Sequence, residues 1–372
     1  MFLKSFKRWV FWTHLSLGLV AGIFVFFMSF SGVLLTYERQ LKELSEMSYA
    51  VQPNVSIARI TTDQAVAAVQ RLKPDEPHIY VRWVNREGAA IPVWAGKNSY
   101  LLHPYTGEVL RHGEGSVTEF FHLVTDFHRY LSLVGEAKVI GKNITAYANL
   151  VFIFLLLSGL YLWLPKRFNW KLVKQNLLLP KGYRNHHHRN RQWHFVFGIW
   201  CLPVLLVISS TATIFHFSWA NTALYGAFGE SVPQREQHPE VTSLAADEVL
   251  YEDLFTKAKQ HALDNGYQDW YSMWMEIGDS EHEARFYIDK SIGHRQELAY
   301  SLYFDTRNGD ISKILRKEDW SSGGQAWGTA RFLHTGEYFG FIGQTIAGVA
   351  SLLACILVYT GIVLAWRRLI GK

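Results

Sequence analysis

Four runs of about 20 or more residues with almost no charge, roughly 12–37, 146–165, 193–217 and 342–366, constrain this chain more than anything else in it. About 20 consecutive apolar residues in an α-helix cover the hydrocarbon core of a bilayer, and a soluble core has no use for four such runs. The averages hide them: the 372 residues are 49% hydrophobic and 19% charged, with a mean hydropathy of +0.00. Long polar segments between the runs balance the sum. The expected fold class is a membrane protein, a four-transmembrane-helix bundle with α+β soluble segments.

Lysine and arginine set the expected orientation. Lys4, Lys7 and Arg8 precede the first run, and Arg367, Arg368 and Lys372 follow the last. The stretch "KRFNWKLVKQNLLLPKGYRNHHHRNR" (166–191) holds eight Lys or Arg and no acid. Short basic segments stay in the cytoplasm, so both termini are expected inside. The net charge of +5 is then a topology signal, and no nucleic-acid partner is expected. The divisions follow: 1–37, cytoplasmic start and first span; 38–145, first outer domain; 146–165, second span; 166–192, basic cytoplasmic loop; 193–217, third span; 218–341, second outer domain; 342–372, fourth span and cytoplasmic end. The first run is too long for a signal peptide and no small-x-small cleavage site follows it, so it reads as an uncleaved anchor. The two cysteines, Cys201 and Cys355, both fall inside predicted spans and read as packing residues.

The chain repeats itself. Setting His14 against His194 pairs Gly18 with Gly198, Ala21 with Cys201, Ser31 with Thr211 and Gly32 with Ala212, without a gap. Setting Gly141 against Gly343 pairs Ser158-Gly159 with Thr360-Gly361. Each half therefore reads span, outer domain, span: two tandem repeats. The outer segments match as well. "TTDQAVAAVQRL" and "LYEDLFTKAKQHAL" have helical spacing, and each precedes a set of strands. "HPYTGEVL" and "DTRNGDIS" put a glycine at the same point of a hairpin, where a positive φ suits it.

Most of the sixteen histidines have ordinary readings. His186, His187 and His188 sit in the basic loop, suited to lipid headgroups or solvent. His78, His103, His112, His238, His261 and His294 are scattered through soluble segments and read as surface residues. His282 lies in the acidic turn "DSEHEARF", either solvated or a loose metal site. Four differ. His14 and His194 open spans one and three on the cytoplasmic side, and His128 and His334 precede spans two and four on the outer side. They make one pair at each membrane face, each repeat giving one member. Imidazole is a good iron ligand, and two helices offering one each can clamp a flat haem from both axial positions. Helical steps from His14 reach Gly18, Ala21 and Gly22, and from His194 reach Gly198, Cys201 and Leu202. Small side chains there leave room for a macrocycle, or only for close helix packing. His122 and His216 stand as substitutes for the outer pair. Arg129 and Arg331 lie beside the outer ligands, placed either to meet haem propionates or to anchor their helices at the interface.

"FWTHLSLGLVAG", "FSGVLLTY", "LLHPYTGEVL", "HRYLSL" with "LLLSGLYLWLPKR", "RNRQWHFVFGIW", "FDTRNGDI", "FLHTGEYFG" and "TGIVLAW" together resemble the PepSY-associated transmembrane family, and within it the bacterial inner-membrane siderophore reductases. The resemblance implies four transmembrane helices, two PepSY-like α+β domains in the periplasm, and two haem b held by His14, His194, His128 and His334. It also implies reduction of a ferric siderophore with release of ferrous iron. No Gly-rich dinucleotide fingerprint follows a strand, so a separate donor, a quinol or a flavoprotein, is expected. Trp270, Trp274, Trp320 and Trp327 are candidates for the acceptor surface, or else core. Two other readings stay open here. One is a non-redox membrane-anchored binding protein. The other is a siderophore or iron transporter, against which the lack of polar residues at mid-span argues.

Overall fold

A computed structural model describes residues 2–53, 57–165, 170–234, 249–278, 280, 282–293 and 295–371. His238, His294, Lys166, Arg167, Lys372, the Lys4 side chain, and Asp279 and Glu281 of "DSEHEARF" lie outside the described residues. The chain divides into two compact units: Met1–Tyr37, Phe121–Ser231 and Ala326–Lys372 form one, and Glu38–Phe120 with Val232–Gln325 the other.

The first unit is helical. Numbered along the chain, its long helices are α1 (Phe2–Leu35), α5 (Ala137–Trp163), α7 (His186–His216) and α11 (Gly340–Leu369). Around them lie α4 (Ser116–Tyr130), α6 (Trp170–Leu177), α8 (Ser218–Gly226) and α10 (Ser322–Thr335), of which α4 and α10 begin in the other unit. The long helices pack in a ring, α1 on α5, α5 on α7, α7 on α11 and α11 on α1. All four are long and apolar enough to cross a membrane. Only 22% to 39% of their most apolar windows is buried within the chain. Apolar side chains such as Val20, 72% exposed, and Ile342, 71% exposed, turn outward, an arrangement that hydrocarbon satisfies and water does not. The helices outrun the apolar runs of the sequence, because polar residues at their ends continue the same backbone ladder. α1, for instance, begins ten residues before the run at 12. His14 and His194 consequently sit within α1 and α7 rather than at their starts. Inside the ring, Leu156, Cys201, Leu202, Leu205, Ala350 and Ala354 form an apolar core. The Asn149 amide donates to the Ser209 carbonyl at 2.9 Å and to Thr213 Oγ1 at 3.0 Å, tying α5 to α7.

The second unit is one sheet. Its helices are α2 (Glu38–Met47), α3 (Thr62–Gln70) and α9 (Tyr251–Asp264). Its strands are β1 (Ile79–Val84), β2 (Ile91–Ala95), β3 (Asn98–Leu102), β4 (Val109–His112), β5 (Ser272–Ile277), β6 (Glu283–Asp289), β7 (Ala299–Asp305) and β8 (Ile311–Arg316). Each half supplies a helix and then an antiparallel meander, as its sequence predicts. The meanders are not separate, however: β1 pairs with β5 from Ile79↔Ile277 to Val84↔Ser272, giving the order β4-β3-β2-β1-β5-β6-β7-β8. Two outer domains read from sequence thus share a single sheet. Each meander alone would expose the unpaired edge of its first strand, and joining the two edges removes that liability. Gly107 and Gly309, in the matching end hairpins, both have φ of 72°.

One sheet face carries Ile79, Val81, Met273, Met275, Phe286 and Leu302 into a core under α3 and α9. The N-termini of these helices cap one another. Asp63 on α3 accepts the backbone N–H groups of Tyr251 and Glu252 at 3.0 and 2.9 Å, and Glu252 accepts the Thr62 N–H and hydroxyl at 2.7 and 2.8 Å. On the opposite face Arg82 binds Glu43 at 2.8 Å and Glu46 at 2.7 Å, both from α2.

Candidate functional site

The four singled-out histidines meet in two pairs within the helical unit. His14 and His194 line a cavity of about 1150 Å³ between α1, α5, α7 and α11, open on part of its boundary. This is somewhat above the usual range for small-molecule pockets, roughly 300–1,000 Å³. Its walls are apolar side chains and the glycines 18, 22, 159, 198 and 361, and Lys7, Arg8, Arg191, Arg367 and Arg368 line the rest. His14 Nδ1 lies 2.8 Å from Ser158 Oγ on α5, and His194 Nδ1 3.0 Å from Thr360 Oγ1 on α11.

His128 on α4 and His334 on α10 form the second pair. Their ring centroids are 6.5 Å apart with the planes inclined at 65°. Two metal–imidazole bonds of about 2.0–2.1 Å each, plus roughly 1 Å from each ring nitrogen to its ring centre, would put such centroids about 6 Å apart across one metal. The observed spacing matches. His128 Nδ1 lies 2.8 Å from Ser31 Oγ on α1. His334 Nδ1 lies 3.3 Å from Thr211 Oγ1 on α7 and 2.9 Å from the Ile208 carbonyl.

Each imidazole therefore rests on a hydroxyl from a neighbouring helix, and the residue after that hydroxyl is small: Ser31-Gly32, Ser158-Gly159, Thr211-Ala212, Thr360-Gly361. Three of these small residues lie against the ring, and at Gly361 the missing side chain makes room for it. A Cβ on Gly361 would stand 3.3 Å from His194 Cε1, one on Gly159 3.4 Å from His14 Cε1, and one on Gly32 3.8 Å from His128 Cε1. Sequence comparison of the halves pairs these four dipeptides but gives the hydroxyls no role. The signal was the same hydroxyl–small pair occurring once for every candidate histidine.

The other candidates fall elsewhere. His122 is exposed on a different face of α4 from His128. His216 ends α7 with its Nδ1 buried and unbonded, and it has no hydroxyl seat. Arg129 and Arg331 are exposed and lie over the rings of Tyr130 and Phe332 at 5.1 and 5.9 Å. Cys201 and Cys355 are buried and free. Of the tryptophans, Trp270 packs against the sheet core, Trp327 meets Phe215, and Trp274 stacks on Trp94 at 5.2 Å beneath Arg82. Among the described residues no three His, Cys, Asp or Glu side chains converge as a metal cluster. Two imidazoles per site is the donor set for a metal whose remaining positions a macrocycle would fill. At His14 and His194 the two imidazoles, the apolar wall and the glycine-lined space fit such a group, and at His128 and His334 the spacing of the rings does.

The sequence model of one family, described as the PepSY-associated TM region, matches residues 11–368. No curated protein matches the chain.

Proposed function

The chain belongs to the PepSY-associated TM family, and from that premise we propose that it is a haem-dependent ferric-siderophore reductase of a bacterial inner membrane. In this reading it binds two haem b and carries electrons to a ferric siderophore in the periplasm, releasing ferrous iron. Both termini lie in the cytoplasm, the sheet unit lies in the periplasm, and the two halves are tandem repeats. One observation carries the reading: His14 and His194 line one cavity, His128 and His334 lie ring to ring, and each of the four imidazoles is seated on a hydroxyl.

Haem iron supplies a reversible one-electron change at each pair. The protein's residues do the rest. His14 and His194 would hold the metal from two helices, and Lys7, Arg8, Arg191, Arg367 and Arg368, which line the same cavity, would neutralise the carboxylates of the macrocycle. His128 and His334 hold the second metal, with Arg129 and Arg331 beside them in sequence as its counter-charges. Between the pairs, the core around Leu156, Cys201, Leu205 and Ala354 keeps water and protons out of the electron path. A quinol or flavoprotein supplies the electrons. The stacked pair of Trp94 and Trp274 is a candidate surface for the siderophore.

The purified protein should show a reducible b-type Soret and α band. His14→Ala or His194→Ala should perturb or remove one haem and spare the other, and His128→Ala or His334→Ala should do the converse. Full haem content and unchanged spectra in all four variants would refute the ligand assignment. Anaerobic mixing of the reduced protein with ferric siderophores should reoxidise it, with ferrous iron captured by a chelator. A protein that stays reduced with every siderophore is not a siderophore reductase.

A further inference from the structure

The seats decide which nitrogen each histidine presents. A serine or threonine hydroxyl has one proton to give. In all four seats that proton is committed to the carbonyl one turn back on the same helix: Ser31 to Phe27 at 2.7 Å, Ser158 to Phe154 at 2.7 Å, Thr211 to Val207 at 2.7 Å and Thr360 to Ile356 at 2.8 Å. Toward the imidazole the hydroxyl oxygen can then only accept. The hydrogen must lie on Nδ1, which leaves the Nε2 lone pair bare. A backbone carbonyl, which never donates, reinforces the His334 seat, where the Ile208 oxygen lies 2.9 Å from Nδ1.

We infer that Ser31, Ser158, Thr211 and Thr360 are positioning residues that lock the four imidazoles as Nδ1–H tautomers with Nε2 aimed at the metal. The inference rests on the haem reading of the two pairs and adds the residues that tune it. An Nδ1–H donated to an oxygen makes the imidazole a stronger electron donor. A stronger donor favours the ferric state, so the seats hold the midpoint potential down. His334, with a carbonyl at 2.9 Å beside its hydroxyl, has the firmest hold.

The test uses the full-length, haem-loaded protein in detergent, comparing wild type with Ser158→Ala, Thr360→Val and Thr360→Ser. Three quantities are read for each haem: the rate of haem transfer to apomyoglobin, the low-spin EPR signal and the midpoint potential. Loss of such an outer partner commonly weakens metal binding by about 10–100-fold. Ser158→Ala and Thr360→Val should accordingly release the His14/His194 haem at least about 10-fold faster, alter its EPR signal and raise its potential, and Thr360→Ser should restore all three. The His128/His334 haem reports folding within the same molecules and should not change. A hydroxyl that merely bonded helix to helix would lower thermal stability and leave the potential and EPR signal alone, and that result would overturn the inference. Should a variant fail to fold, Ser31→Ala and Thr211→Val put the same question to the other pair. A wild-type chain that takes up no haem would defeat the haem reading itself. A loaded wild type with silent variants defeats only the role of the seats.

Discussion

Gly361→Ala separates the needs of the helix from the needs of the site. The new Cβ would lie 3.3 Å from His194 Cε1, whereas carbon atoms in good contact sit about 3.5–4.0 Å apart. The ring must therefore yield by roughly 0.2–0.7 Å, which spans the roughly 0.5 Å within which a site holds its productive geometry. Alanine meanwhile favours a helix over glycine by about 0.8–1.0 kcal/mol. Thermal stability should stay level or rise while the optical and EPR signals of the haem proposed at His14/His194 shift. Gly361→Leu needs more room than the ring can give, and it should abolish that haem and spare the other. Gly226→Ala on α8, where a Cβ meets nothing within 4 Å, serves as the control for propensity alone. The measurement is haem per chain, the EPR spectrum and a thermal melt on all three. A Gly361→Leu protein with both haems and an unchanged spectrum would show that the space beside His194 has no part in seating the ring.

Two further outcomes concern the sheet unit. Arg82→Leu leaves Glu43 and Glu46 facing each other without their cation, in a place where the Arg82 and Glu43 side chains are only 10% and 11% exposed; it should cost about 3–5 kcal/mol in denaturant unfolding. If replacing Arg82, Glu43 and Glu46 together by apolar residues cost as much as Arg82→Leu alone, the loss would not come from stranded charge. Asp63→Ala uncaps α9 from across the helix pair and should cost about 0.5–2 kcal/mol, matched by Glu252→Ala at α3. No loss in either variant would mean that water replaces the caps freely.

Much of this was legible in the sequence because hydropathy and period speak directly. Uncharged runs gave the four crossing helices, and alternation with turn glycines gave the strands, down to Gly107 and Gly309. The joining of β1 to β5 was not legible. Strand pairing depends on which edges find each other, and nothing local in "IYVRWV" or "YSMWMEI" names its partner. His14 and His194 could be picked out because they recur in register, and His128 and His334 because each precedes the second span of its half, with no contact information at all. Their seats could not, since Ser158 is a contact of His14 only after α1 and α5 pack, 144 residues apart along the chain. The basic lining of the His14 cavity was read as a topology signal. Folding brings Arg8, Arg191 and Arg368 to one space, and that convergence is invisible to a count of charges.

The helices divide the work unequally, and the division can be tested. α1 supplies His14 to one pair and Ser31 to the other; α7 supplies His194 and Thr211 likewise. In both helices the two residues are 17 positions apart. At 1.5 Å and about 100° per residue, 17 steps separate them by about 25 Å along the axis and turn them about 100° apart around it. The phase matters more than the length, because each side chain must meet a neighbour fixed by a different helix. A single alanine inserted in α1 between Met28 and Phe24 would rotate one of the two by about 100° against the other. The bundle could then satisfy the pair at His14 or the seat at Ser31, never both, so on the proposed function the variant should bind one of the two haems and lose the other. Insertion of seven residues turns the helix by about 700°, close to two full turns, and restores the phase at the cost of length. If the single insertion left both haems spectroscopically intact, α1 would not be the rigid element that sets the two sites, and the seats would have to be held by local adjustment instead.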